Sequence, residues 1–96
     1  MAVARVVTFD GVTKERMDEM EREFSSPDSQ PPEGFPSAEF VALHDPEAEQ
    51  SVVIFFFETE DDYRKADEIL NAMPTGDTPG TRASVTRYDV AMRMKS

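Results

Sequence analysis

Six apolar residues run without a break at positions 52–57, VVIFFF, and no other feature restricts the fold of this chain so tightly. A strand with one wet face alternates apolar and polar side chains, because successive residues point to opposite faces of the sheet. Here Val52, Ile54 and Phe56 share one face and Val53, Phe55 and Phe57 the other, so both faces are apolar. Such a strand belongs at the centre of a sheet that is covered on both sides. Leaving three of these side chains in water would forfeit roughly 1.5–3 kcal/mol each. The chain has 96 residues, enough for one domain with a thin core. One of the two covers is therefore expected from outside the chain, as the sheet of a second copy.

The flanking segments supply the rest of the sheet and its inner cover. VARVVTF (residues 3–9) is short and β-branched and reads as a strand ended by Asp10 and Gly11. Thr13 is placed to cap a helix over KERMDEMEREF, whose Met17, Met20 and Phe24 recur at helical spacing. AEFVALH (38–44) reads as a second strand, and DPEAEQ as the turn that joins it to the third in a hairpin. Thr59 caps a second helix that Pro74 stops. The acids Glu60, Asp61 and Asp62 sit in its first turn, where the helix dipole favours them. Its apolar stripe is Tyr63, Ala66, Ile69, Leu70 and Met73. TRASVTRYDVAMRM (81–94) reads as one long alternating strand, with Arg87 and Arg93 on its less apolar face.

The order strand, helix, strand, strand, helix, strand predicts an α+β, ferredoxin-like βαββαβ fold over residues 1–96. Its four-stranded antiparallel sheet would carry both helices on one face and dimerise through the other. Between the first helix and the second strand lies SSPDSQPPEGFPS (25–37), whose prolines, serines and glycine forbid regular structure. A connection this long is expected to be mobile and a candidate lid, with Phe35 as the side chain to reach a pocket.

Charge and composition restrict the partners. Twenty acids against ten Lys and Arg give a net charge of −10, which repels phosphate backbones and anionic membrane surfaces. There is no cysteine, so disulfides, thiolate metal sites and a Cys nucleophile are excluded. With a single histidine as well, no metal site and no cofactor are expected. MAVARVVTFD shows no signal-type cleavage site, and no stretch approaches the roughly 20 apolar residues that span a bilayer. The chain is expected to be soluble and cytoplasmic.

FVALHDPEAEQSVVIFFFETEDDYRKADEIL and RASVTRYDVAMRM together resemble the dimeric α+β barrel proteins, and within them the antibiotic-biosynthesis-monooxygenase-like group. The resemblance lies in the Asp45-Pro46 turn, the apolar strand 52–57, the acid-capped helix carrying Tyr63, and the closing Tyr88-Asp89-Val90. It implies a homodimer whose sheets pack into a barrel, and a pocket in each subunit between sheet and helices. Members of the superfamily include cofactor-free oxygenases of aromatic substrates, isomerases and haem degraders. The haem degraders rely on an Asn, Trp and His set, and this chain has no Trp.

His44, the only histidine, is the first candidate base, although its place at a strand end beside a turn is that of a partly solvated structural residue. Tyr63 and Tyr88 could each donate a hydrogen bond to a ligand carbonyl, or simply bury a ring and keep the hydroxyl wet. Arg5, in an otherwise apolar strand, either holds an anion in a pocket or pairs with an acid. Arg5, Phe40, Phe56 and Tyr63 are the residues read as ligand-binding. Three functions fit: a homodimer binding a small apolar or aromatic molecule, a cofactor-free monooxygenase or isomerase of an aromatic or polyketide-like substrate, and a purely structural assembly domain.

Overall fold

A computed structural model describes residues 2–26, 34–36, 38–72 and 80–94. The first strand, β1, spans Val3–Asp10, followed by helix α1 over Lys14–Ser25. The hairpin is β2, Glu39–Asp45, and β3, Gln50–Phe57; helix α2 spans Glu60–Asn71 and strand β4 Thr81–Asp89. The sheet is antiparallel throughout, in the order β2-β3-β1-β4. The ferredoxin-like arrangement is therefore present, with the first and third strands central. Met73 and Pro74, and most of the loop 25–37, lie outside the described residues. No helix among the described residues is long and apolar enough to cross a membrane.

The element ends follow from local chemistry. Gly11 leaves β1 at φ 72°, a left-handed conformation that glycine adopts without strain. Thr13 then caps α1, its hydroxyl accepting the Arg16 N–H at 3.1 Å, and Thr59 caps α2 by accepting from Asp62 N at 3.1 Å. Asp45 organises the hairpin turn, where its Oδ1 accepts from Glu47 N at 3.1 Å and Ala48 N at 3.2 Å.

Register decides which side chains meet. Val3, Arg5 and Val7 of β1 stand opposite Phe57, Phe55 and Val53 of β3, and all six face the helices. Ala4, Val6 and Thr8 stand opposite Phe56, Ile54 and Val52 on the other face. The core is the helix-side layer: Val3, Val7, Val12 and Phe57 are almost fully buried, with Met17, Val53 and Val85 packed against Val7, Phe9 and Val12. Helix α1 buries none of its residues, and Phe24 near its end stays 57% exposed. Met17 of its stripe packs against Val7, Phe9 and Val12, and Phe24 meets Phe40 of the edge strand β2, but neither is enclosed.

Two features of β4 depart from the alternation read in the sequence. The strand stops at Asp89 and does not continue to residue 94. Val90 donates its N–H to Ala2 O at 2.9 Å, and the chain then turns over the sheet. Arg93 accordingly leaves the face it would share with Arg87. The second feature is a bulge: Thr8 pairs with Ser84, but Phe9 pairs with Arg82, so Ala83 is the extra residue. That insertion carries Arg82 to the helix side, where strict alternation would have sent it to the open side.

Candidate functional site

The helix-side face carries a group of aromatic rings at one end. Phe55 and Phe57 are two residues apart on β3, so their rings stack on one face at 6.0 Å and 10°. Phe40 lies opposite Phe55 across the β2–β3 ladder, with ring centroids 5.5 Å apart. Phe24, in the last turn of α1, adds a ring 5.6 Å from Phe40. Tyr63, in the first turn of α2, meets Phe57 edge-on at 6.1 Å. Phe35 completes the group, 5.8 Å from Phe55 and 6.3 Å from Phe57. Four elements and one loop residue thus bring six rings together at separations typical of favourable aromatic pairs. The group grades outward: Phe57 at its base is fully buried, Phe40 is 44% exposed and Phe24 57%.

Polar groups border the cluster. Arg5 is 3% exposed, and its Nε donates to Asp67 Oδ1 at 2.9 Å. Its Nη2 donates to Asn71 Oδ1 at 3.2 Å, and the same oxygen accepts from Arg82 at 2.8 Å. Asn71 in turn donates to Asp67 Oδ2 at 3.3 Å. Arg5 therefore takes the second of its two expected roles, pairing with an acid. Arg87 donates to Glu60 at 2.7 and 3.0 Å, pairs with Asp89 at 3.0 Å, and places its guanidinium 5.9 Å from the Tyr63 ring centroid. Hydrogen bonding to Glu60 raises the Arg87 pKa above its ordinary value. Burial, and then the charge of Asp67, raise the Tyr63 phenol above 10.0, against the opposing pull of Arg5 and Arg87. Tyr63 is thus a neutral phenol near the buried end of the cluster.

The residues singled out in the sequence divide between three places. Arg5, Phe40 and Tyr63 share the helix-side face, while Phe56 lies on the opposite one. Tyr88 is opposite Ala4, on the same face as Phe56, and is 55% exposed. His44 sits at the far end of β2, where its Nε2 bonds Val12 O at 2.9 Å. That bond ties the hairpin to the loop between β1 and α1, away from the aromatic rings.

Three partners of the polar border had not been singled out: Asp67, Asn71 and Arg82. Helical spacing from Tyr63 reaches Asp67 and Asn71, because residues four apart share a face. Arg82 had no comparable signal, since it arrives through the bulge. Among the described residues no group of three or more acids and histidines is arranged to hold a metal ion. No protein-family model matches the chain, and no curated protein matches it.

Proposed function

We propose that this chain is a homodimeric small-molecule-binding protein of the dimeric α+β barrel type, with the aromatic cluster as its ligand site. The observation that carries the reading is the outward grading of that cluster, from a fully buried Phe57 to Phe40 and Phe24 at 44% and 57% exposed. Rings held in contact by four elements, with their outer members wet, suit a flat apolar or aromatic molecule that stacks on them. Dimerisation is supported by the other face. Val41 is 39% exposed, Leu43 52% and Tyr88 55%, beside the half-buried Val6, Val52, Ile54 and Phe56. A second copy packed sheet to sheet would cover this apolar surface. A cytoplasmic place of action belongs to the same proposal, on the cysteine-free composition.

A cofactor-free monooxygenase or isomerase is the second reading, favoured by Tyr63. Its neutral phenol stands against Phe57 and is suited to donate a hydrogen bond to a ligand oxygen. The binding reading needs no base, and His44 is engaged with Val12.

Mass spectrometry of the purified protein under native conditions tests ligand and dimer together. The expected result is a mass of two chains, with an aromatic molecule released on denaturation. A titration with anilinonaphthalene sulfonate gives the second test, in which Phe40→Ala weakens the fluorescent response. A response identical in Phe40→Ala and the parent protein would remove the cluster as the site. Oxygen uptake with a panel of phenols separates the two readings: consumption abolished by Tyr63→Phe favours the enzyme.

A further inference from the structure

The open face of the sheet already has an occupant at one end, and it is the chain itself. Beyond β4, residues 90–94 cross from the edge strand over the centre. Val90 is anchored to Ala2 O at 2.9 Å. The Arg93 guanidinium then lies 4.7 Å from the Phe56 ring centroid and pairs with Glu39 on β2, the opposite edge strand. The segment thus spans the sheet from β4 to β2, and its grip beyond Val90 is concentrated in one side chain. Met92 and Met94 on either side of Arg93 are 77% and 84% exposed and contribute little burial to it.

Resting on the homodimer reading, we propose that residues 90–94 form a strap that competes with the second copy for the Phe56 end of the open face. Arg93 holds the strap closed. Three observations carry this. Phe56 is the largest apolar side chain that β1, β2 and β3 present on that face, and its ring is what Arg93 covers. The covering group is a charged pair, Arg93 with Glu39, which a packed apolar interface could enclose only by desolvating both members. The strap is also held weakly: both members are substantially exposed, 44% for Arg93 and 63% for Glu39, so it can be opened at small expense. A second copy therefore displaces the guanidinium from Phe56 and seats its own apolar side chains there.

The sign of one substitution is diagnostic. Arg93→Gln takes the net charge from −10 to −11 (one positive charge removed), so repulsion between copies alone would weaken the dimer. Release of the strap predicts the opposite. Two straps open per dimer, so the dissociation constant is expected to fall about fivefold to thirtyfold, the effect of one cation–π contact in each protomer. Sedimentation equilibrium over a concentration series measures it for the parent protein and for Arg93→Gln. Tightening, or a dimer seen only in Arg93→Gln, supports the strap. A parent dimer that Arg93→Gln weakens or leaves unchanged overturns the strap and leaves the dimer standing. Monomers throughout in both proteins overturn both. The NMR shift of the Arg93 side-chain N–H, displaced by the Phe56 ring current, is the second readout. It should collapse as dimer forms, and its persistence in the dimer would show strap and partner side by side, against the proposal.

Discussion

Arg5 Nε donates to Asp67 Oδ1 at 2.9 Å, across the boundary between the central strand and α2. The guanidinium is 3% exposed and the carboxylate 32%, so the charge in deep burial is the arginine's. Asn71 bonds both members and extends the contact along the helix. This network fixes α2 over β1, and so fixes Tyr63 against Phe57, near the buried end of the aromatic cluster. Asp67→Ala leaves the guanidinium without its counter-charge. We expect a loss of about 2–3 kcal/mol, less than for a fully buried pair because Asp67 is one-third open to water. Arg5→Met combined with Asp67→Leu should recover most of that loss, since an apolar pair of similar volume carries no desolvation penalty. Urea denaturation checks both, and an Asp67→Ala protein as stable as the parent would refute the account.

The two faces of β3 should respond differently to a charge. Phe57 is fully buried against the helices, so Phe57→Asp places a carboxylate in the core and prevents folding. Ile54 faces the open side and is half-buried. Ile54→Asp should therefore give a folded protein, by far-ultraviolet circular dichroism, that sediments as a monomer. A folded, fully dimeric Ile54→Asp would argue against the open face as the interface.

Much of this layout is legible in the chain. The unbroken run at 52–57 identifies the central strand, and the threonines at 13 and 59 mark both helix starts. Those signals are local: a cap is read from the residues beside it, and a face from alternation. The end of β4 was not legible, because VAMRM after Asp89 has strand-like alternation and nothing local forbids its continuing. Its departure depends on where Ala2 and Phe56 lie, which is set by the sheet and not by the segment. The bulge at Ala83 is hidden for the same reason, and with it the route by which Arg82 reaches Asn71. Of the aromatic cluster, the β3 phenylalanines and Tyr63 could be placed from pattern. The meeting of Phe24 with Phe40 required the tertiary path of α1.

Two glycines should fail for different reasons. A Cβ at Gly80 would lie 2.3 Å from Asp10 O and 3.0 Å from Val12 Cγ2, and the nearer atom is backbone that cannot rotate away. Gly80→Ala must therefore separate β4 from the end of β1, and is expected to cost about 1–3 kcal/mol. Gly11 has open space around it but φ +72°, so Gly11→Ala should cost about 1–2 kcal/mol of backbone strain. Gly11→Asn should recover part of this, because asparagine tolerates the left-handed region, whereas Gly80→Asn should be no better than Gly80→Ala. Thermal unfolding of the four variants distinguishes clash from strain.

Tyr63 makes stability depend on alkaline pH. Burial first, and Asp67 second, raise its phenol above 10.0 in the folded protein. Between that ordinary value and the raised one, the native state keeps a proton that the unfolded state releases. The stabilisation is complete below about pH 10 and is lost as pH rises through the folded value. Tyr63→Phe removes this dependence. Urea midpoints measured upward from about pH 9 should therefore fall more steeply in the parent than in Tyr63→Phe. Parallel slopes would mean that the phenol is not desolvated.

His44 offers the sharpest separation of structural from chemical roles. Its Nε2 lies 2.9 Å from Val12 O, and Val12 N donates to Glu49 O at 2.7 Å, so the hairpin grips both polar atoms of one fully buried residue. With Nε2 donating, the ring serves as a latch between β2 and the loop that leads into α1. His44→Ala removes that donor, and the loss expected for an unpaired carbonyl is about 1–2 kcal/mol. An ordinary surface substitution changes stability by only about 0.5 kcal/mol. His44→Gln, which can donate from its amide, should lie between the two. Because the latch is far along β2 from Phe40, binding of the fluorescent probe should be unaffected in either variant. A His44→Ala protein of unchanged stability that no longer turns over a phenol would reverse the assignment and make this histidine the base.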